Sequence, residues 1–173
     1  KNIVGLWRRR LTAGCRPTRT ARPNRNVRPH MGNSVKVRPY STADRPAVTA
    51  LWREIFADDP PWNEPEGMID RKLTVQPELF LVAELEGRVV GTVLGGFDGV
   101  RGWIHHLAVA APHRRKGIAK LLMGAAEDGL RILGCPKVNL QVRATNLAVI
   151  EFYRSLGYAV EERASLGKRL VAV

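Results

Sequence analysis

The feature that most narrows the possible folds is the stretch Leu107 to Leu122, LAVAAPHRRKGIAKLL, where an apolar strand-like run passes through a basic turn into a helical pattern. Arg114, Arg115 and Lys116 stand directly before Gly117, and the helical spacing starts at Ile118. A strand feeding a helix through a short turn requires a sheet with helices packed on it. The first amides of such a helix lack internal partners and sit at the positive end of its dipole. Gly117 lets a ligand approach that backbone closely, and an anion with several oxygens fits there. The basic side chains can steer or pair with phosphate. The stretch therefore admits three readings: a solvated basic turn, a nucleic-acid patch or a pocket for a phosphorylated cofactor.

Two familiar phosphate loops are excluded by spacing. No Gly-Lys-Ser/Thr ends a P-loop, and no G-x-G-x-x-G follows a strand with an acid about 20 residues on.

The net charge of +12 points to nucleic acid only until it is divided along the chain. Residues 1–30 hold nine Lys or Arg and no Asp or Glu; removing those nine from +12 leaves +3 for residues 31–173. Arg-Pro recurs at 16–17, 22–23 and 28–29, which keeps the backbone extended and withholds amide donors. With so little apolar content, residues 1–30 are expected to be a disordered basic extension, and residues 31–173 the single folded domain. Lys1 is not an initiator and Met31 stands just before the first strand-like segment, so 1–30 reads as extra upstream sequence. A mitochondrial transit segment is the alternative, although 1–30 contains no Ser and its prolines spoil an amphipathic helix. No apolar run is long enough to span a membrane, and the two cysteines, Cys15 and Cys135, are too few for a disulfide framework. A reducing, cytoplasmic compartment is the expectation.

Beyond Met31, the periodicities predict a strand over 35–40 and then a helix capped by Ser41 or Thr42, with Val48, Leu51, Trp52 and Ile55 on one face. A turn-rich break over 57–65 leads to a short helix through Ile69 and Leu73. Two strands over 79–99 join at Glu86-Gly87, a hairpin signal, and 103–110 forms another strand. The helix after the basic turn carries Ile118, Leu121, Leu122, Ala125 and Leu133 on one face and stops at Gly134. A strand over 137–143, a helix capped by Asn146 and ending at Gly157, and strand-like returns over 158–163 and 167–173 complete the chain. The order β-α-α-β-β-β-α-β-α-β-β implies an α/β (α+β) fold. Its sheet is mixed, mainly antiparallel and six- to seven-stranded, with about four helices.

Arg114-Arg115-Lys116-Gly117-Ile118-Ala119 resembles the R/Q-x-x-G-x-G/A acetyl-CoA loop of the GNAT superfamily of N-acetyltransferases. Asn146, Tyr153 and Leu156-Gly157-Tyr158 are similar to its second signature, N-x-x-A-x-x-x-Y-x-x-x-G-F, with Ala148 one place early and Tyr158 replacing Phe. The resemblance covers about residues 35–173. Segments 61–73, 80–96 and 165–170 bring it nearest to the YpeA-like bacterial acetyltransferases.

The resemblance implies a splay between the fourth and fifth strands that admits acetyl-CoA as co-substrate, with no metal. Amides from Arg115 to Lys120, around Lys116, Gly117, Ile118 and Ala119, would hold the pyrophosphate. Backbone groups of Leu107 and Val109 would meet the pantetheine arm and the acetyl carbonyl. Asn146 would bond the pantetheine, or serve only as a helix cap. Tyr153 would protonate the departing thiolate, or serve only as a core aromatic beside Val149 and Leu156. Some relatives carry Glu where Trp103 stands, so the base is open. His105 is one candidate and a structural histidine is its plainer reading; Glu84, Asp98 and ordered water are others. His106 should point to the opposite face of its strand. Trp62, Asn63 and Glu64 lie where the family builds acceptor specificity, although packing against the sheet is the more ordinary reading of Trp62.

The function implied is acetyl transfer from acetyl-CoA to a primary amine, by direct attack in a ternary complex. No Cys lies in either signature, which disfavours an acetyl-cysteine route. The acceptor would be a small-molecule or peptide amine, and the protein a monomer or homodimer. The alternatives are a nucleic-acid-binding module using the basic extension, which carries only Trp7 for stacking, and a non-catalytic domain that senses acyl-CoA.

Overall fold

The computed structural model describes residues 34–170. The expected disorder of residues 1–30, and any role for that extension, lies outside the described residues. Strand β1 (Lys36–Pro39) leads through a tight turn into helix α1 (Arg45–Ile55), and α2 (Pro65–Leu73) follows. A meander of β2 (Phe80–Leu85), β3 (Arg88–Phe97) and β4 (Gly102–Val109) comes next, then α3 (Ile118–Ile132), β5 (Val138–Leu140) and α4 (Leu147–Ser155). The strands lie in the order β1-β2-β3-β4-β5, antiparallel except for the parallel β4–β5 pair.

Local chemistry explains the joints. The Ser41 amide and hydroxyl donate to the Asp44 carboxylate at 2.8 and 3.1 Å, closing the turn before α1. Arg38 on β1 adds two bonds to Asp44, at 2.7 and 2.8 Å, and a third to Glu84 on β2, at 2.7 Å. The hairpin at Glu86-Gly87 has both residues at positive φ (52° and 75°), the backbone of a type I′ turn.

Alternation along β2 divides the core. Leu79, Leu81 and Ala83 face α3, where Ile118, Leu122, Met123, Ala126 and Leu130 are buried. Phe80 and Val82 face α1 and α2, where Val48, Trp52 and Ile69 are buried. Two layers of helix thus enclose one sheet. On α1, the Trp52 indole N–H donates to Thr92 Oγ1 at 2.8 Å, and that hydroxyl donates to the His106 carbonyl at 3.1 Å, so one buried chain of bonds fixes α1 to β3 and β4.

Three expectations are corrected. The sheet has five strands among the described residues: 158–163 and 167–170 have no strand pairing, and 171–173 lie outside. Their alternation finds no apolar face to cover, because β5 has three half-buried residues, and Val160, Leu166 and Leu170 are exposed. The segment is tied back by side chains instead, through the Lys137–Glu161 ion pair and a Gln141–Ser165 hydrogen bond of 2.6 Å. On α3 the expected Ile118 and Leu122 are buried and Ala125 and Leu133 pack against the core, but Leu121 is 49% exposed, while Met123, Ala126 and Leu130 are buried as well.

The third correction concerns β4. Thr92 pairs with Ala108 but Leu94 pairs with His105, so β4 spends three residues where β3 spends two. The extra residue is a β-bulge at His106, whose φ is +48°. Ile104 consequently packs toward α3 and Ala108 toward α1, although strict alternation would put them on one face.

The burial pattern of α3 separates two neighbouring leucines. Leu122→Ala is expected to cost about 3 kcal/mol, whereas Leu121→Ala should cost less than about 1 kcal/mol. Urea-unfolding midpoints of the two variants check this, and equal losses would contradict the burial pattern.

Candidate active site

β4 and β5 pair over only three positions, Gly102–Val138, Trp103–Asn139 and Ile104–Leu140, and β4 then runs on to Val109 paired to β3 on one side, with no strand of the described residues along its β5 edge. The bulge decides which backbone groups face this gap. Below it, the Gly102 amide donates to Lys137 at 2.8 Å, so even-numbered residues face β5. Above it, the Ala110 amide donates to Val90 at 2.9 Å, so even-numbered residues face β3 and the backbone groups of Leu107 and Val109 turn to the open edge. The gap opens into a cleft of about 980 Å³, toward the upper end of ligand-site volumes.

One end of the cleft is the basic turn. Arg115 and Gly117 both have left-handed backbone, at φ 59° and 80°. The first helical bond of α3 runs from the Leu121 amide to the Gly117 carbonyl at 3.1 Å. Among the described residues no backbone acceptor meets the six amides from Arg115 to Lys120. Successive free amides at a helix start form an anion cradle. Ile118, fully buried, anchors the helix start beneath them. A side chain at Gly117 would meet no atom within 4 Å, so glycine is required there by its φ and by access to the amides rather than by packing.

The structure brings most of the expected residues onto this cleft: His105, Leu107, Val109, Arg114, Arg115, Gly117, Ile118, Ala119, Lys120, Asn146 and Tyr153 all line it. Lys116 is exposed and lies off the wall. The Arg114 Nε–H donates to the Val109 carbonyl at 3.0 Å, so Arg114 holds one of the groups expected to face a ligand. Asn146 caps α4, its side-chain oxygen accepting from the Val149 amide at 3.4 Å. Tyr153 is 9% exposed, and burial pushes its phenol up to about 12. At neutral pH it is a proton donor.

Two suggested bases are engaged elsewhere. Glu84 is paired with Arg38, and Asp98 accepts the Val100 and Arg101 amides at 2.7 and 2.6 Å in the β3–β4 turn. The bulge also overturns the expectation for His106, because both histidines border the cleft. His105 is the more open, its pKa lowered first by burial and then by the Lys72 ammonium. The His106 side chain is only 13% exposed, with ring centroids 4.9 Å from Trp52 and 4.6 Å from Phe56. Its Nε2 lies 3.7 Å from Asp59 Oδ2. Burial outweighs that carboxylate and lowers the ring to about 4. Asp59 also accepts from Asn63 at 3.1 Å and faces Arg143 at 3.6 Å. Trp62 is 41% exposed and the Arg169 guanidinium lies over it at 4.3 Å, so it packs on a cation and not on the sheet. Sequence reasoning passed over Asp59 and Phe56, which stand in a turn with no motif.

The sequence matches the Acetyltransferase (GNAT) family over residues 49–158, more than half of the chain. It is also 43% identical over 137 residues to an acetyltransferase of Yersinia enterocolitica, an alignment covering 79% of this chain and 96% of that relative. The chain belongs to the GNAT acetyltransferase family. Among solved structures, this GNAT chain is similar to Ard1 from Thermoplasma volcanium, with a TM-score of 0.66, 26% identity and coverage of 73% of this chain and 84% of that one. The aminoglycoside N-acetyltransferase AAC(6')-Iy in complex with CoA shares the fold at a TM-score of 0.70 and 15% identity, over 84% of this chain and all of that one. The mixed α/β architecture is thus that of GNAT proteins, and the chain is an N-acetyltransferase. No helix of the described residues is long and apolar enough to cross a membrane.

The lowered pKa of His106 carries a stability consequence. As pH falls from 6.5 toward about 4, the unfolded chain takes up the proton that the folded ring resists, so stability falls across that window. In His106→Asn, urea midpoints between those pH values should decline less steeply than in the parent. An unchanged slope would contradict the buried, neutral ring.

Proposed function

We propose that the chain moves the acetyl group of acetyl-CoA to a primary amine of a small molecule or peptide, by direct attack in a ternary complex. The observation that carries this reading is the row of six amides from Arg115 to Lys120, without backbone acceptors, beside the open edge of β4. Those amides, with the Arg114, Arg115 and Lys120 side chains, suit a diphosphate. Leu107 and Val109 present backbone groups to an extended arm lying along the same edge, as an added strand would. Arg114 leaves the Val109 carbonyl when that arm enters.

At the far end of the arm, the amine lone pair attacks the thioester carbonyl, the new C–N bond forms and the C–S bond breaks. The departing thiolate takes a proton from Tyr153, which burial keeps protonated. A phenol is a better donor to a thiolate in this dry setting than water, because it is already placed and desolvated.

Calorimetry with acetyl-CoA should give a saturable heat for the parent and none for Gly117→Asp, whose carboxylate would stand among the cradle amides. Circular dichroism confirms folding of the variant. In Tyr153→Phe the acetyl-CoA affinity should hold within about threefold while kcat falls about 10²-fold. Undiminished turnover at saturating amine would remove Tyr153 from the reaction.

A further inference from the structure

We propose that His106, positioned by Asp59, is the group that takes the proton from the attacking amine. The assignment rests on the acetyl-transfer reading and deepens it. A second cavity of about 340 Å³ lies beyond the main cleft, between the end of α1 and the turn that leads into α2. Of the β4 side chains only His106 borders both spaces, and Asp59 and Phe56 border both as well. An amine that occupies the smaller cavity passes His106 to reach a thioester held along β4, whose Leu107 backbone is the next step of the strand.

The histidine is built for this position. The bulge spends an extra residue and a left-handed backbone to bring it to the cleft side, beside His105. Trp52 and Phe56 hold the ring on two sides, and the Thr92 hydroxyl holds its carbonyl at 3.1 Å. The charged groups facing it are Asp59 from the turn after α1 and its neighbour His105 on β4, with Arg143 after β5 reaching the same Asp59. Asp59 stands 3.7 Å from Nε2, an ion-pair distance, so it stabilises the imidazolium that proton transfer creates. Among the described residues no such carboxylate faces His105, and the Lys72 ammonium disfavours its charged form.

The step balances as follows. The amine arrives neutral, having lost its first proton to solvent. Its nitrogen bonds to the carbonyl carbon, and the remaining excess proton passes to His106 and on to solvent. The C–S electron pair leaves with sulfur, which takes the Tyr153 proton, and the phenol is reprotonated from solvent.

The test uses the full chain and His106→Gly, because glycine suits the +48° backbone and leaves room for a small base. The acceptor is whichever of spermidine, kanamycin and an unblocked alanine peptide the parent turns over fastest. The expected result is a kcat lowered about 10²- to 10³-fold with acetyl-CoA affinity by calorimetry within about twofold, and recovery of at least about tenfold on adding imidazole. Asp59→Asn should lower kcat about tenfold and move the acid limb of the pH profile to lower pH, since its carboxylate raises the ring pKa. Imidazole rescue at His105→Gly and not at His106→Gly, or turnover of His106→Gly within about threefold of the parent, would overturn the assignment while leaving the acetyl-transfer reading intact. Loss of acetyl-CoA binding by the parent itself would instead remove that reading.

Discussion

The ladder between β4 and β5 stops after three residue pairs, and the remainder of the architecture is arranged around that early parting. Had β5 continued alongside β4, the edge amides and carbonyls of Leu107 and Val109 would be consumed within the sheet. Their exposure is tolerated because a groove lined by polar backbone is open to water or to an extended ligand. The bulge at His106 is the second half of the arrangement. It exchanges the set of backbone groups facing β5, and it moves a histidine to the cleft side of the sheet. Trp52 and Thr92 hold that irregular point through buried hydrogen bonds, so the distortion is supported from beneath by α1.

The cleft wall carries charges of both signs. At one end stand the free amides and positive dipole of α3 with Arg114, Arg115 and Lys120; Asp58 and Asp59 line the wall near His106, with Arg143 facing Asp59. On the proposed reading, an anionic diphosphate is drawn to the basic turn and a cationic amine to these carboxylates, so that the two substrates meet head to tail. Between them lie two groups that burial holds uncharged, the Tyr153 phenol and the His106 ring, which on the proposed reading give and take the proton.

Much of this was legible in the chain itself, for definable reasons. Glu86-Gly87 between alternating runs predicts a hairpin because both positions need left-handed backbone, and both have it. Asn146 three residues before Val149 predicts a cap, and the bond is present. The RRKG turn predicts free amides at a helix start from geometry alone. What escaped reading depends on tertiary structure. A bulge has no fixed sequence signal, so strict alternation placed His106 on the wrong side. On α3 only Leu121 departs from the expected face, because Leu121 and Leu122 are interchangeable to a periodicity count and only packing under β3 chooses between them. The alternating segment 158–163 looked like a strand, but a strand needs a partner edge longer than three-residue β5 provides. Asp59 carries no sequence signal of its own, because its meaning comes from His106, which is distant in sequence.

The most direct test of the central claim is a backbone amide NMR titration of the chain with acetyl-CoA, run in parallel with acetyl-pantetheine, which lacks the diphosphate. The account predicts that acetyl-CoA moves the resonances from Arg115 to Lys120 more than any others, and that acetyl-pantetheine leaves them in place while shifting Leu107 and Val109. If saturating acetyl-CoA leaves those amides unmoved, the diphosphate is held elsewhere and the role given to the start of α3 is wrong.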